Sequence, residues 1–363
     1  MTASSPRFSI TQAKSLVKDL STPNPAIYWA DFLTSILIGH TSFYYCLYAD
    51  RYLTEPAVLW PARALLFVLA AILYMRSVMF IHELVHLRNG TFKWFRFAWN
   101  MLCGIPFLIP SFLYYPHVDH HRRKSYGTKH DGEYLDLSHG PIASVVVFIG
   151  AALIVPLAAV ARFLIMTPVS WVWPSFQQWV ERRASSMVID IFYTRGDFGP
   201  KARRIMRIQE VACWLICVAL VLRAPIVNGT LIDGFLIQAY LMAVTLILIN
   251  NVRTLGAHRW LGDGAELSFE EQLLDSVNYP YRPWITELWG PIGTRYHALH
   301  HLFPSIPYHN LGVAHRRLVA GLPADSLYHQ TTRVTLIGTI AELLARAVHQ
   351  PEFRGAQLSA GPR

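Results

Sequence analysis

The chain has 363 residues, 53% of them hydrophobic and only 15% charged, with a mean hydropathy of +0.29. Such a composition sets aside an ordinary soluble domain and points to a membrane protein. The formal net charge of +9 comes without a basic helix or RNA-binding signature, so no nucleic-acid partner is expected; in a membrane protein it marks the cytoplasmic face and anionic headgroups.

Residues 1–26 carry Arg7, Lys14 and Lys18, which places the N-terminus inside. No early apolar core precedes a small-residue cleavage site, so no cleaved signal peptide is expected. Residues 28–48 and 64–81 are long enough to approach or cross a hydrocarbon core, and the short ADRYLTEP joins them. HELVH follows at 82–86. Residues 97–115 are apolar but contain Gly104, Pro106 and Pro110, which predicts a re-entrant or interfacial segment rather than a straight crossing helix. HVDHH comes next, at 117–121.

The apolar stretch 141–173 raises a question of parity. Counted as a crossing, it would put the basic loop 180–207 outside, with Arg182, Arg183, Arg195, Lys201, Arg203, Arg204 and Arg207. Pro156, Arg162 and Pro168 allow it to bend back or lie in the interface, leaving four crossings. The last two, 211–222 and 231–249, form a hairpin around PIVNGT. The membrane region 27–258 ends in NNVRTLGAHRW, and 259–363 is a mostly polar cytoplasmic region carrying RYHALHH. The expected fold is a single all-α membrane domain: about four transmembrane helices, interfacial or re-entrant helices, and a cytoplasmic helical cap bearing a di-metal site.

That site follows from histidine spacing. His297, His300 and His301 stand at i, i+3 and i+4, so their rings share one helix face; His117, His120 and His121 repeat the pattern, and His82 and His86 stand at i and i+4. HELVH also matches HExxH, the helix in which two histidines bind zinc and the glutamate is a general base. A zinc protease would leave six clustered histidines without a role, so Glu83 is read instead as an acceptor that holds a ligand ring. Eight histidines exceed the need of one tetrahedral metal and supply four ligands to each of two. Neutral imidazole suits zinc, copper, iron and nickel alike. A metal transporter would place histidines along its spans rather than at cytoplasmic helix ends. Asp119, Asp131 and Glu133 are candidate carboxylate partners of ligand rings. Cys46, Cys103, Cys213 and Cys217 stand in apolar surroundings without a CxxC pair, as buried small hydrophobes.

HxxxH followed by two HxxHH boxes resembles the integral-membrane fatty acid desaturase and hydroxylase superfamily, from about residue 26 to 320. HALHHLFPSIPYHNL and YGTKHDGEY resemble its bacterial desaturases in particular. The resemblance implies two irons and dioxygen as co-substrate, acting on an acyl lipid from the membrane. It also implies a further histidine between the second and third boxes, and His258 occupies that place. Relatives often carry an asparagine one turn earlier; Thr254 stands there instead, with Asn251 a near-turn further back. The expected activity is a fatty acyl desaturase, with a lipid hydroxylase or ketolase as the alternative. No HPGG haem signature is present and the cysteines cannot hold an iron–sulfur cluster, so an external electron donor of ferredoxin or cytochrome b5 type, with its reductase, is expected. The expected location is the bacterial inner membrane, with the active site and both termini on the cytoplasmic side.

Overall fold

The computed structural model describes residues 8 to 348 apart from Asn89; Arg7, one of the charges expected inside, lies outside them. Helices joined by turns make up the described residues, with isolated bridges and no strand among them. The expected all-α class is thus observed. The chain divides into two compact units interleaved along the sequence.

One unit comprises Pro23–Val118 and Ala152–Asn250. Proline at the first helical turn starts Pro25–Leu47, Pro56–His86, Pro174–Arg183 and Pro200–Asn228; its missing N–H costs nothing there and its fixed φ suits the helix. Pro25–Leu47 and Pro56–His86 pack together. Asp31 receives two hydrogen bonds from Arg76, each 2.6 Å, and His40 Nδ1 meets Tyr74 Oη at 2.8 Å. Polar groups on these helices are satisfied by the partner helix, as a low-dielectric setting requires.

Four helices are long and apolar enough to cross a membrane: Pro56–His86, Val155–Val172, Pro200–Asn228 and Gly234–Ala257. The number matches expectation, but the membership differs. Pro25–Leu47 has 23 residues yet is not among the four, because Asp31, His40 and several hydroxyl side chains dilute its hydropathy. The stretch 141–173 does break, at Ala151–Ile154, but its second half, Val155–Val172, has the length and composition of a span. Part of the expected basic loop is also helical: Lys201, Arg203, Arg204 and Arg207 ride on the opening turns of Pro200–Asn228. Large apolar side chains such as Leu65, Leu157, Leu215 and Ile226 face outward, as lipid-facing surfaces do.

The expected re-entrant stretch is not a straight helix. Lys93–Trp99 runs into a π-turn, Asn100–Gly104, and the chain then folds back into Ser111–Tyr114. Asn100 closes this fold. Its Nδ2 donates to the Arg96 carbonyl at 2.8 Å and its Oδ1 accepts from Ser111 N at 2.9 Å, so non-helical backbone keeps its partners away from water.

The other unit gathers the described residues of Met1–Thr22, Asp119–Ala151 and Asn251–Arg363. Ile10–Val17, capped by the Ser9 hydroxyl on Gln12 N at 3.3 Å, buries Ala13 and Val17 against Leu311, Ala314 and Leu318 of Tyr308–Gly321. Asp19 accepts from Arg317 at 2.7 Å and the Leu20 carbonyl from Asn310 at 2.8 Å. The same core includes Tyr296 and Leu299 at the start of the third histidine box.

A buried ion cluster in the first-described unit generates a stability prediction. Arg162 donates to Glu210, to Thr167 Oγ1 at 2.7 Å and to Ser185 Oγ at 3.2 Å, and Glu210 is wholly buried. Removing the carboxylate strands a buried guanidinium, which costs about 3–5 kcal/mol. Glu210→Ala is expected to lower the thermal midpoint of the detergent-solubilised protein markedly, with Glu210→Gln losing less; an unchanged midpoint in the alanine variant would refute this account.

Candidate metal centre

Six of the nine histidines singled out from sequence lie in one unit: His120, His121, His258, His297, His300 and His301. Four of them converge. His258 Nε2 is 2.8 Å from His297 Nε2 and 3.2 Å from His120 Nε2, and His297 Nε2 is 3.1 Å from His301 Nε2. All four ligand atoms lie within 4.8 Å of one another. Around one metal with bonds of about 2.1 Å, tetrahedral ligand nitrogens stand about 3.4 Å apart, so the spacing is close to that of a coordination shell.

The opposite edges of two rings explain their orientation. His120 Nδ1 donates to Asp131 Oδ2 at 2.8 Å, and that carboxylate also accepts from Gly127 N and Glu133 N, each at 3.0 Å. His258 Nδ1 meets Tyr126 Oη at 2.8 Å, and Tyr126 donates to Asp275 Oδ2 at 2.6 Å. A ring that gives up its Nδ1 proton to an acceptor presents the Nε2 lone pair on the other side, the arrangement of metal-ligating histidines with their carboxylate supports. Burial holds His297 well below the ordinary imidazole range, with His301, His258 and His120 adding to the shift. Burial also lowers His258, against the pull of Asp275. Burial would lower His120 too, but Asp131 outweighs it and leaves the ring raised, while Asp131 itself is lowered despite burial because it faces His120. The donor set fits a metal: four imidazole nitrogens, three of them on buried rings, turned toward one point.

Local sequence sets the ligand positions. His258 follows Ala257, the last residue of Gly234–Ala257, whose carbonyl accepts from Val277 N at 3.1 Å. Trp260 then takes a positive φ of 60° while fully buried, an uncommon state for a bulky residue that clusters at functional sites. His297, His300 and His301 sit on the short helix His297–Leu302. The turn before it requires Gly293, at φ +71°, where a Cβ would meet Leu311 Cδ1 at 2.5 Å. Two donors at the helix start are satisfied by one segment: Ala298 N bonds the Val277 carbonyl at 3.2 Å and Leu299 N bonds Asn278 Oδ1 at 3.1 Å.

His121 and His300 face each other edge-on in this unit, ring centroids 4.8 Å apart. In the other unit His82, His86 and His117 form a trio, with centroids 4.7 Å apart for His82–His117 and 5.2 Å for the other two pairs. Glu83 is buried and accepts from Tyr28 Oη.

The other expected partners divide. Asp131 holds a ligand ring, and Glu133 adds its charge to the field that raises His120. Asp119 pairs with Arg122. Asn251 donates to the Phe148 carbonyl at 2.8 Å, tying the helix Ile142–Gly150 to the end of a span rather than supporting a ligand. Thr254 Oγ1 accepts from Arg253 at 3.2 Å. Sequence reasoning missed Tyr126, Asp275 and Asn278. Tyr126 opens YGTKHDGEY, where the carboxylates carry the ligand-support signal and the tyrosine carries none; Asp275 and Asn278 sit in LLDSVNY, where a lone acid and amide beside apolar residues carry no spacing signal.

Residues 59–333 match the family described as Fatty acid desaturase. A ceramide hydroxylase of Caulobacter vibrioides (strain NA1000 / CB15N) is 40% identical over 336 residues, covering 92% of this chain and 93% of that relative.

The support around His258 is directly testable. Tyr126→Phe removes the hydroxyl between His258 and Asp275 without changing ring bulk. Metal held by the quartet is expected to weaken about 10- to 100-fold, read as faster loss to a chelator at an unchanged thermal midpoint of the apo protein. Retention equal to the unsubstituted chain would show that Tyr126 does not orient His258.

Proposed function

From the premise that this chain belongs to the fatty acid desaturase family, we propose that it is an oxygen-dependent lipid hydroxylase acting on ceramide or a closely related amide-linked acyl lipid. The observation that carries this reading is the extent of likeness to the ceramide hydroxylase, which runs through nearly the full length of both chains. It supports the hydroxylase alternative better than the desaturase that the box context suggested. Oxidoreductase chemistry on a lipid is common to both.

Two irons are the metals this family uses. One would be held by His120, His258, His297 and His301, which leaves the remaining box histidines, His82, His86, His117, His121 and His300, as the donors available to the other. When bound, such a pair activates dioxygen so that one oxygen atom enters a C–H bond of the substrate and the other leaves as water, with two electrons and two protons taken up. The chain's residues do the positioning. Asp131 fixes His120, and Tyr126 with Asp275 fixes His258, by holding their Nδ1 protons. Tyr134 and Trp260 close the quartet from water, Trp260 standing 5.4 Å from the His258 ring; dryness of this kind favours an oxidation that stray reductants would otherwise quench. We read the chain as one membrane domain with its site and termini on the cytoplasmic side, a placement in which Pro25–Leu47 crosses as well and Val155–Val172 returns to the side it left.

Electrons come from outside the chain, through a ferredoxin or cytochrome b5 type donor and its reductase. Arg122, Arg123 and Lys124 are exposed and follow directly on His121, so they offer an acidic donor a short route to the metal ligands.

Two measurements test this. Lipids from a ceramide-producing host expressing the chain are expected to gain a species heavier by one oxygen, and this species should vanish with His300→Ala. A new alkene, lighter by two hydrogens and without hydroxylated product, would restore the desaturase reading and overturn this one. Turnover with a protein donor is expected to fall with ionic strength more steeply than turnover with a small chemical reductant; equal salt sensitivity would remove the basic docking surface.

A further inference from the structure

Helix Pro283–Trp289 turns its apolar stripe outward. Trp284, Ile285 and Leu288 stand at i, i+1 and i+4 on this helix and are 74%, 37% and 47% exposed, and Tyr281, just before it, is 52% exposed, while Thr286 on the opposite side is buried and accepts from Arg295. A soluble surface would reverse this pattern, and contiguous exposed apolar patches mark contact with a protein or a membrane. Nearby in the same unit, Val334 and Ile337 are 66% and 80% exposed at the start of the helix Leu336–Val348.

Both elements are attached to the last turn of a span-like helix. Tyr279 Oη donates to the Gly256 carbonyl at 2.6 Å, and the Tyr279 ring meets Trp289 edge-on at 5.0 Å. Leu336 packs so tightly on Gly256 that a Cβ there would lie 2.1 Å from its Cδ1. Gly256 is the penultimate residue of Gly234–Ala257, one of the four helices fit to cross a membrane. The stripe and Ile337 therefore sit at the depth where a spanning helix leaves the hydrocarbon, where tryptophan and tyrosine are enriched.

Charge agrees with that placement. Arg259, Arg282, Arg333 and Arg346 belong to these same elements or adjoin them, against Glu287, which faces Arg295 at 3.6 Å, and Glu342, which faces Arg333 at 3.9 Å. An apolar stripe bordered by arginines matches the boundary between acyl chains and anionic headgroups. We propose that Tyr281, Trp284, Ile285, Leu288 and Ile337 insert into the lipid interface and anchor this histidine-bearing unit to the bilayer surface. The inference depends on Gly234–Ala257 spanning the membrane and is independent of the reaction catalysed.

The test uses the full chain in nanodiscs of phosphatidylcholine and phosphatidylglycerol. Trp284→Cys and Ile337→Cys are labelled singly with an environment-sensitive fluorophore, with Lys124→Cys as an exposed reference; the four native cysteines are buried, and the unsubstituted chain supplies the labelling background. Spin-labelled lipid is expected to quench the labels at 284 and 337 several-fold more than the reference, and aqueous iodide several-fold less. Iodide quenching equal to that of the reference overturns the proposal. Protection from both quenchers also overturns it, and assigns the stripe to a contact with a second copy of the chain.

Discussion

Four imidazole nitrogens facing one another within 4.8 Å are held against their own electrostatics. If each presents a lone pair, the pairs repel; if protons fill the gaps, positive charge accumulates where burial opposes it. The lowered state of His258 and His297 expresses the second penalty. A cation at the centre relieves both at once, so metal binding stabilises the folded state and folding prepays the ordering of the ligands. The contacts around these four rings in the histidine-rich unit hold the ligand atoms turned toward one another.

Much of the holding falls to one short segment, residues 275–279, made of the end of the helix Phe269–Asp275 and the residues that follow it. Asp275 reaches His258 both through Tyr126 and directly, its Oδ2 standing 3.3 Å from Nδ1, and Val277 N satisfies the terminal carbonyl of the span at Ala257. The Val277 carbonyl and Asn278 Oδ1 take two of the donors left open at the start of His297–Leu302. Asn278 is itself fixed by Thr331, through N–H to carbonyl at 2.8 Å and Nδ2 to Oγ1 at 2.9 Å. Ligands almost 40 positions apart in sequence, His258 and His297, are thereby registered by backbone and amide hydrogen bonds rather than by flexible side chains. Such bonds have narrow geometry, and a ligand set of this kind tolerates little displacement.

How legible this was depends on the range of the interaction. Spacing along one helix is written locally, so HVDHH and HALHH disclosed their shared faces. The proline and glycine pattern of 97–115 likewise disclosed a chain that does not cross as a straight helix. Contacts between distant segments leave no period: Asp275, Tyr126 and Asn278 became visible only once folding placed them beside His258 and the third box. Asn251 shows the converse. The asparagine that relatives often carry one turn before the position of His258 suggested a supporting role for Asn251, a near-turn further back, and its amide donates to the Phe148 carbonyl. The membership of the span-like helices shifted for a related reason, since a hydropathy average does not record whether a polar residue such as Asp31 is answered by an arginine on the next helix; Pro25–Leu47 falls below such an average although its Asp31 is paired.

The same distinction explains why box context favoured desaturation. In HALHHLFPSIPYHNL the non-histidine residues Leu299, Ile306 and Leu311 are buried in the core with Ala13, Val17 and Leu318, and Leu302 and Phe303 pack against it. They secure the ligand helix, a requirement identical for an enzyme that ends by inserting oxygen and one that ends by removing a second hydrogen. Likeness in this stretch therefore reports how the metal ligands are mounted. The reaction outcome depends on where a substrate carbon is held, which the mounting of the ligands does not record, so likeness along nearly the whole chain bears on that outcome more directly than likeness at the boxes.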